Sequence, residues 1–300
     1  MRIAITGGTG FVGSHLIELA LAEGHQINAL TRRPQEARQG LTWVEGALDQ
    51  PDSLAKLCAG CDAVIHVAGV INGSAHEFYL GNVVGTENVI AAAAGADIRR
   101  FIHISSLSAR EPQLSAYGRS KAESEEPVIA AGYDWTIIRP PAIYGPRDRE
   151  MLELFRFARY GVLPLPPGGH VSIIHVEDLC AFILACLGNN ASHAEIYEPD
   201  DGRDGGWTPV ELARAIGRAV GHKVLPLPLP KALLRAGARI DHLIRGEKAK
   251  LTRDRVNYFC HPDWVAAPHA RPPASLWRPQ IPTEKGLAST ARWYEAQGWL

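Results

Sequence analysis

Three residues whose types and spacing suit proton transfer stand close together in "ISSLSAREPQLSAYGRSK", residues 104–121. Tyr117 and Lys121 are four residues apart, so on a helix they share one face. Ser106 precedes them, at the end of an apolar stretch. A phenol whose pKa is lowered by a nearby ammonium can give a proton to an alkoxide, and a serine hydroxyl can hold the substrate oxygen. Hydride transfer to a carbonyl requires this chemistry.

The elements that must position these residues alternate between strands and helices. Apolar runs predict strands at 2–6, 26–31, 41–46, 62–69, 100–106, 134–140 and 172–175. The segments between them predict helices at 11–24, 51–60, 80–96, 117–132 and 176–187. This alternation predicts an α/β fold, a Rossmann doubly wound parallel sheet over residues 1–188. Ser106 would lie at the carboxyl edge of the sheet, where ligands bind, and Ser105 would point away.

The chain changes character in its second half. Segment 146–170 is rich in Pro and Gly, and residues 189–300 are loop-rich with helices near 208–220, 231–245 and 284–297. We expect these parts to form a smaller C-terminal substrate lobe. "PLPLPK" should be an extended link, since its prolines alternate. The helix at 231–246 mixes Leu and Ile with Arg, so it could be a lid over an apolar substrate, a membrane-surface contact or an ordinary packed helix.

A glycine-rich turn follows the first strand in "TGGTGFVG". Gly7 allows the tight turn, Gly10 lets the backbone approach a pyrophosphate, and Gly13 allows close helix packing. With Phe11 and Val12, they place a phosphate at a helix N-terminus, where free N–H groups attract anions. The pattern predicts dinucleotide binding; the alternative is a tight turn with no ligand.

The residues after the second strand select the cofactor. An acidic side chain there would accept hydrogen bonds from a ribose 2′-hydroxyl, but this chain has Arg32 and Arg33. Guanidinium groups suit a 2′-phosphate, which favours NADP(H). If both arginines are merely solvated, NAD stays open.

Composition and charge exclude several classes of function. The chain has 300 residues, a formal net charge of −1 and 12 His, with no metal-ligand spacing among them. We therefore expect no nucleic-acid partner and no metal. The longest apolar run, 179–187, is too short to span a bilayer, and "MRIAIT" enters a strand at once, which favours a cytoplasmic protein. Cys58 and Cys61 form a C-x-x-C without a second ligand pair, so reduced thiols are expected.

Seven segments together resemble the short-chain dehydrogenase/reductase superfamily, in its extended and atypical branches. They are "TGGTGFVG", "HVAG", "NVVGT", "ISS", "YGRSK", "RPPAIYGP" and "HVEDL", in that family's order over residues 1 to about 190. The resemblance implies a Rossmann fold, a nicotinamide cofactor, a small-molecule substrate and catalysis by Ser106, Tyr117 and Lys121. It also implies further cofactor contacts: Val67, Ala68 and Gly69, with Pro140 and Ile143 beside the nicotinamide.

The resemblance suggests other roles too. Asn82 should stabilise the helix behind the site, and helices 82–95 and 117–131 could form a homodimer. Near the adenine the family commonly has Asp, whereas this chain has Ala47 followed by Leu48. His66 and His175 should be hydrogen-bonded structural residues, and the carboxylates of Glu177 and Asp178 should cap a helix or anchor a loop.

Departures from the family pattern leave three functions open. Ser106 and Tyr117 are 11 residues apart, without the insertion of sugar-nucleotide epimerases and dehydratases, and Ala142 replaces a common Asn. The short spacing between Ser106 and Tyr117 resembles that of the branch containing the NADPH-binding accessory subunit of respiratory complex I, which performs no turnover. That branch often lacks the serine that is present here. We therefore favour an NADP(H)-dependent ketone or aldehyde reductase, or the reverse alcohol dehydrogenase, over a non-catalytic NADPH-binding protein or an epimerase-type enzyme.

Overall fold

The computed structural model describes residues 1–246 and 252–300 of the chain. The strands are β1 (Arg2–Thr6), β2 (Gln26–Thr31), β3 (Leu41–Glu45), β4 (Ala63–His66), β5 (Arg100–Ile104), β6 (Asp134–Ile138), β7 (Ala142–Tyr144), β8 (Val162–Leu165), β9 (His170–Val171), β10 (Ile173–His175), β11 (Glu195–Tyr197), β12 (Leu225–Pro228) and β13 (Asp263–Trp264). The α-helices are α1 (Phe11–Ala22), α2 (Pro51–Cys58), α3 (Ala75–Phe78), α4 (Gly85–Gly95), α5 (Ala116–Ala130), α6 (Leu152–Arg159), α7 (Val176–Leu187), α8 (Pro209–Ala219), α9 (Lys231–Arg245), α10 (Arg253–Phe259) and α11 (Thr283–Ala296).

One seven-stranded parallel sheet organises the molecule. Its strand order is β11-β6-β5-β4-β1-β2-β3, so the chain runs outward from β1 in one direction and then crosses to β4 and runs in the other. This confirms the predicted α/β, doubly wound fold. The order reverses between β1 and β4, and ligands bind at the carboxyl ends of strands beside such a switch point.

Apolar cores cover both faces of the sheet. On one face α1 and α7 pack around Ile5, Leu16 and Ile183. On the other, α2, α4 and α5 pack around Leu54, Val89 and nearby side chains. Because both faces are covered, the strands are continuous apolar runs and show little alternation.

A separate core holds together the elements that lie beside the carboxyl edge. It includes Tyr144, Phe155, Ile216 and Tyr294, from β7, α6, α8 and α11. Two of these four elements, α8 and α11, lie in the predicted lobe range 189–300, and α6 lies in segment 146–170. The predicted boundary at residue 188 is too early for the sheet, because β11 pairs with β6 as its edge strand. Residues 247–251 of the lobe range lie outside the described part. The proline run 225–228 is extended as expected, and it also pairs in parallel with β8.

The helix predicted at 80–96 begins earlier than the sequence indicated. A capping box between Ser74 and Glu77 starts α3, a π-helical turn covers Tyr79–Val84, and α4 continues from there. Gly81 lies so close to Val70 that a Cβ atom would come within 2.3 Å of the valine side chain. This helical segment therefore packs tightly against the loop that follows β4.

Candidate active site

The glycine turn packs without room for side chains. Gly7 has a φ of +72°, and a Cβ atom there would lie 2.7 Å from the backbone nitrogen of Ala68. A Cβ atom on Gly13 would lie 2.1 Å from the carbonyl oxygen of Gly7. The third glycine therefore allows α1 to pack on the glycine turn itself, rather than only on the strand as the motif suggested.

The N-terminus of α1 is open to an anion. In the described structure its N-cap residue, Gly10, supplies no side-chain hydrogen bond, and the first turn, with Phe11 and Val12, carries no acidic residue. Backbone N–H groups there can receive a phosphate, and the helix dipole favours it. The residues present thus fit a dinucleotide pyrophosphate.

The two arginines after β2 are exposed at the same edge of the sheet. Neither Arg32 nor Arg33 forms an ion pair with a residue that the structure describes. Thr31 holds the local turn, because its hydroxyl donates to the carbonyl oxygen of Arg33 at 2.6 Å. Leu48 follows β3 at this edge and packs against α4, where Asn88 donates to its carbonyl oxygen at 2.8 Å.

A cavity of about 160 Å³ lies at the carboxyl edge, between the glycine turn and α5. Eight of the residues proposed from sequence line it: Val12, Val67, Gly69, Ser106, Tyr117, Lys121, Pro140 and Ile143. The fold thus brings the Ser, Tyr and Lys side chains to one space with proposed cofactor contacts. Ala68 borders the glycine turn instead, where its N–H donates to Thr6 Oγ1 at 3.1 Å.

Ser106 begins the short 3₁₀ turn Leu107–Arg110 directly after β5. Its Oγ accepts hydrogen bonds from the backbone N–H of Ser108 at 3.2 Å and from the Ser108 hydroxyl at 2.9 Å. These bonds fix the Ser106 oxygen at the cavity wall. Ser105, in contrast, donates its hydroxyl to the carboxylate of Glu125, which agrees with the predicted alternation.

Tyr117 lies in the first turn of α5, which Ser115 caps through the backbone N–H of Gly118 at 2.9 Å. Burial raises the pKa of Tyr117, while the neighbouring Ser106 hydroxyl lowers it less. The direction is opposite to the lowering that we expected from Lys121, because desolvation dominates. A phenol in this state keeps its proton at neutral pH, as a proton donor must.

Lys121 is a buried cation with one strong hydrogen bond. Its side chain is 4% exposed, and Nζ donates to the carbonyl oxygen of Ile104 at 2.7 Å. Burial lowers its pKa to about 8, against the opposing effect of the Glu125 carboxylate one helical turn further along. The amine is therefore protonated at neutral pH but close to its titration range.

A buried ion pair between Glu125 and Arg139 lies one helical turn from Lys121. Arg139 donates to both carboxylate oxygens of Glu125, from Nε at 2.9 Å and from Nη2 at 2.5 Å. Glu125 also receives the hydroxyl of Ser105. These hydrogen bonds fix α5 relative to the residues that follow β5 and β6. Sequence analysis missed Glu125, although it lies at i+4 from Lys121.

Polar side chains behind the cavity join the loop after β4 to α5. Asn82 donates to the Val70 carbonyl at 3.0 Å and to Ser120 Oγ at 2.8 Å, and its oxygen accepts from the Val70 N–H at 2.6 Å. His66 is bonded to Thr6 at 2.7 Å and to Thr86 at 3.0 Å, and burial lowers its pKa to about 3. Both residues have the supporting positions that the sequence suggested.

His175 and Asp178 also hold structure together. His175 accepts from the backbone N–H of Glu177 at 3.3 Å and so caps α7. Asp178 anchors a loop, because it accepts the backbone N–H groups of Gln280 and Ile281, each at 3.0 Å.

The two thiols of the C-x-x-C are poor nucleophiles at neutral pH, since burial raises the pKa of Cys58 to about 12 and that of Cys61 to about 11.

Residues remote in sequence pack around the start of α5, and sequence analysis did not find them. The ring of Phe78 lies 5.7 Å from that of Tyr117. Burial raises the pKa of Tyr258 on α10, and Tyr117 raises it further. The same helix binds α5 through Asp254, which accepts the backbone N–H of Ala116 at 3.3 Å. The start of α5, with Tyr117, therefore packs against both α3 and α10.

Comparison with known proteins identifies the class. A model of the NAD dependent epimerase/dehydratase family matches residues 3–198, and this chain belongs to that family. A ceramide reductase from Caulobacter vibrioides is 36% identical over 99% of this chain and 96% of its own length. A 2-alkyl-3-oxoalkanoate reductase from Stenotrophomonas maltophilia is 29% identical over 96% of this chain and 97% of its own.

Among solved structures, the fold is similar to that of a dTDP-glucose 4,6-dehydratase double mutant from Streptomyces venezuelae, with NAD bound. That structure gives a TM-score of 0.69 at 24% identity, over 100% of this chain and 98% of the other. The match supports the fold. The named relatives include reductases that match this chain over nearly its whole length. Among the described residues, we find no helix that is both long and apolar enough to cross a membrane.

Proposed function

We propose that this protein is an NADP(H)-dependent oxidoreductase that reduces the carbonyl group of an apolar, lipid-like substrate. The observation that carries the proposal is the cavity at the carboxyl edge, which Ser106, Tyr117 and Lys121 line together with Val12 and Ile143. When bound there, a reduced nicotinamide would supply the hydride. The chain's own residues would then hold the carbonyl oxygen and give it a proton.

Each of the three polar residues has a defined part in this proposal. The Ser106 hydroxyl, fixed by Ser108, would bind the carbonyl oxygen. Tyr117 would donate the proton, since its raised pKa keeps the phenol protonated until negative charge develops on the oxygen. Lys121, charged at neutral pH, would stabilise the phenolate that remains.

The walls of the cavity favour an apolar substrate. Val70, Ile71 and Pro141 line its open side, and Phe78 packs beside Tyr117. The similarity to a ceramide reductase supports a long-chain substrate. A ceramide carries a secondary hydroxyl group, and this chemistry would form that hydroxyl from a ketone. We therefore propose the keto form of a ceramide, or a ketone of similar shape, as substrate.

Oxidation of NADPH, followed by absorbance with a short-chain ketoceramide and a panel of simpler ketones, tests the proposal. Tyr117→Phe should lower kcat by about 10²–10⁴-fold, because the proton donor is lost. Tyr160→Phe is a matched control, since Tyr160 is exposed and far along the chain from the cavity. Tight NADPH binding without turnover of any ketone would instead favour the non-catalytic reading, and conversion of UDP-sugars would favour an epimerase.

The proposed preference for NADP(H) rests on the two exposed arginines after β2. Arg32→Ala combined with Arg33→Ala should raise the KM for NADPH at least about tenfold, since each removes a charge-assisted contact to the 2′-phosphate, and should leave the KM for NADH unchanged. Arg99→Ala, at another exposed arginine, is the control. Equal effects on both dinucleotides, or no effect on either, would contradict the assignment.

A further inference from the structure

Helix α9 presents an apolar surface to solvent. Leu233, Ile240, Leu243 and Ile244 are exposed by 55%, 57%, 83% and 76%. At about 100° per residue, Leu233, Ile240 and Ile244 fall within one narrow arc, and Leu243 lies at its border. Ala238, which is buried, lies about 140° from Leu233, on the opposite side. The exposed apolar arc is therefore additional to the face that packs on the protein.

Basic residues accompany this arc. Over 231–246 the chain has four Lys and Arg residues and one acidic residue, although the whole chain has a net charge of −1. Arg235 and Arg239 are exposed and form no ion pair with a residue in the described ranges. At about 100° per residue they lie on one flank of the apolar surface, Arg239 about 40° and Arg235 about 80° beyond Leu243. Arg245 is paired with Asp241 at 3.3 Å. The helix thus has an exposed apolar surface with basic residues along one flank.

We propose that α9 is a membrane-docking helix, which lies in the headgroup region of an anionic bilayer with its apolar arc inserted. An interfacial helix needs an apolar face and flanking cations, and α9 has both. A second copy of this chain is a poorer occupant in a symmetric contact through α9, because the one acidic residue of this helix, Asp241, is already paired with Arg245 and so gives Arg235 and Arg239 no carboxylate of their own. The anionic headgroups of a bilayer match this charge.

The position of α9 connects this surface to the active site. It packs against α10, and α10 binds the start of α5 through Asp254. Phe259, also on α10, is exposed by 46% and adds an apolar side chain to the helix that packs against α9. A protein docked through α9 would therefore hold the rim of its cavity near the bilayer.

Flotation of the full-length protein with vesicles tests the inference. We expect binding to vesicles of phosphatidylcholine mixed with phosphatidylglycerol, and at least about tenfold weaker binding to phosphatidylcholine alone. Leu243→Glu with Ile244→Glu, and separately Arg235→Glu with Arg239→Glu, should each weaken binding to the mixed vesicles about tenfold or more. Higher salt should weaken it as well.

A matched control separates this surface from net charge. Lys56→Glu with Arg99→Glu makes the same change in charge at two exposed basic residues outside α9, and it should leave vesicle binding unchanged. Unchanged melting temperature and unchanged turnover of a water-soluble ketone would show that each variant is folded. The inference is overturned if the wild type does not bind the mixed vesicles, if the control weakens binding equally, or if Leu243→Glu with Ile244→Glu dissociates a dimer instead.

The inference does not depend on the proposed substrate, since flotation needs no turnover. A protein that binds vesicles through α9 but reduces no lipid ketone would contradict the proposed function and leave the docking helix standing. A protein that reduces a lipid ketone but does not bind vesicles would support the proposed function and contradict the docking helix.

Discussion

Replacing Lys121 by methionine should stabilise the protein at neutral pH and abolish its proposed activity. Lys121 is 4% exposed, and its pKa is lowered from 10.5 to about 8 by burial. Below pH 8 both the folded and the unfolded chain carry the proton, so folding must desolvate a charge. Methionine has a similar length and carries no charge, so this cost disappears.

The lowered pKa sets the size of the effect. A difference of one pKa unit is about 1.4 kcal/mol, so the cost of holding the charge is about 3 kcal/mol. The substitution also removes the hydrogen bond to the carbonyl oxygen of Ile104, which reduces the gain by ~1 kcal/mol. A net stabilisation of ~2 kcal/mol remains. For a chain of this size it raises Tm by several degrees.

The pH dependence gives the prediction a second test. Between pH 8 and 10.5 the unfolded chain binds more protons than the folded one at this site, so the stability of the natural protein rises with pH. The advantage of Lys121→Met should therefore be full at pH 7 and shrink across that window. Its Glu125 neighbour keeps its partner Arg139, so no new unpaired charge arises.

Urea unfolding of the purified protein at several pH values, without added dinucleotide, measures the difference. Lys56→Met serves as control, since Lys56 is exposed on α2 and should give little change. A Lys121→Met protein that is less stable than the natural one at pH 7, or one whose advantage does not change between pH 8 and 10.5, would refute the account of Lys121 as a strained cation.

Two further substitutions test the glycine turn and the support of Lys121. Gly13→Ala should abolish dinucleotide binding and lower Tm, because its Cβ would lie 2.1 Å from a backbone oxygen. Gly95→Ala is the control and should have neither effect, because nothing lies within 4 Å of its Cβ. Isothermal titration with NADPH and thermal melts measure the two variants. Glu125→Gln should shift the alkaline limb of the pH–rate profile to lower pH, because the Glu125 carboxylate raises the pKa of Lys121. Glu126→Gln, on the exposed side of the same helix, is the control and should leave the profile unchanged. If Gly13→Ala behaves like Gly95→Ala, the tight packing of the glycine turn is contradicted. If Glu125→Gln behaves like Glu126→Gln, the effect of Glu125 on Lys121 is contradicted.

Six of the seven strands of the main sheet could be predicted from sequence, because they are short, apolar and regularly spaced. The seventh, β11, lies in the range that we assigned to the C-terminal lobe, whereas the strand predicted at 172–175 is β10, which pairs with β7 outside this sheet. Local pattern also located the glycine turn and the first turn of α5, since both depend on residues adjacent in the chain. The start of α3 was missed because the capping box of Ser74 and Glu77 lies upstream of the apolar pattern that marks the helix. Polar capping residues next to a loop give only a weak sequence signal for the start of a helix.

The parts of the site that depend on tertiary contacts could not be predicted. Tyr258 is distant from Tyr117 in sequence, and no periodicity links them. The raised pKa of Tyr117 follows from burial by several elements, whereas the sequence showed only the neighbouring Lys121. The spacing of Glu125 from Lys121 was visible, but its buried pairing with Arg139 depends on how α5 packs on β6.

The most direct test of the central claim follows the hydride. The protein is incubated with a ketoceramide and NADPH that carries deuterium on the transferring carbon of its nicotinamide, and the product is analysed by mass spectrometry. We predict an alcohol with one deuterium on the former carbonyl carbon, and at least about 10²-fold less of it in the same time with Tyr117→Phe. Recovery of unchanged ketone beside intact, bound NADPH would contradict the claim.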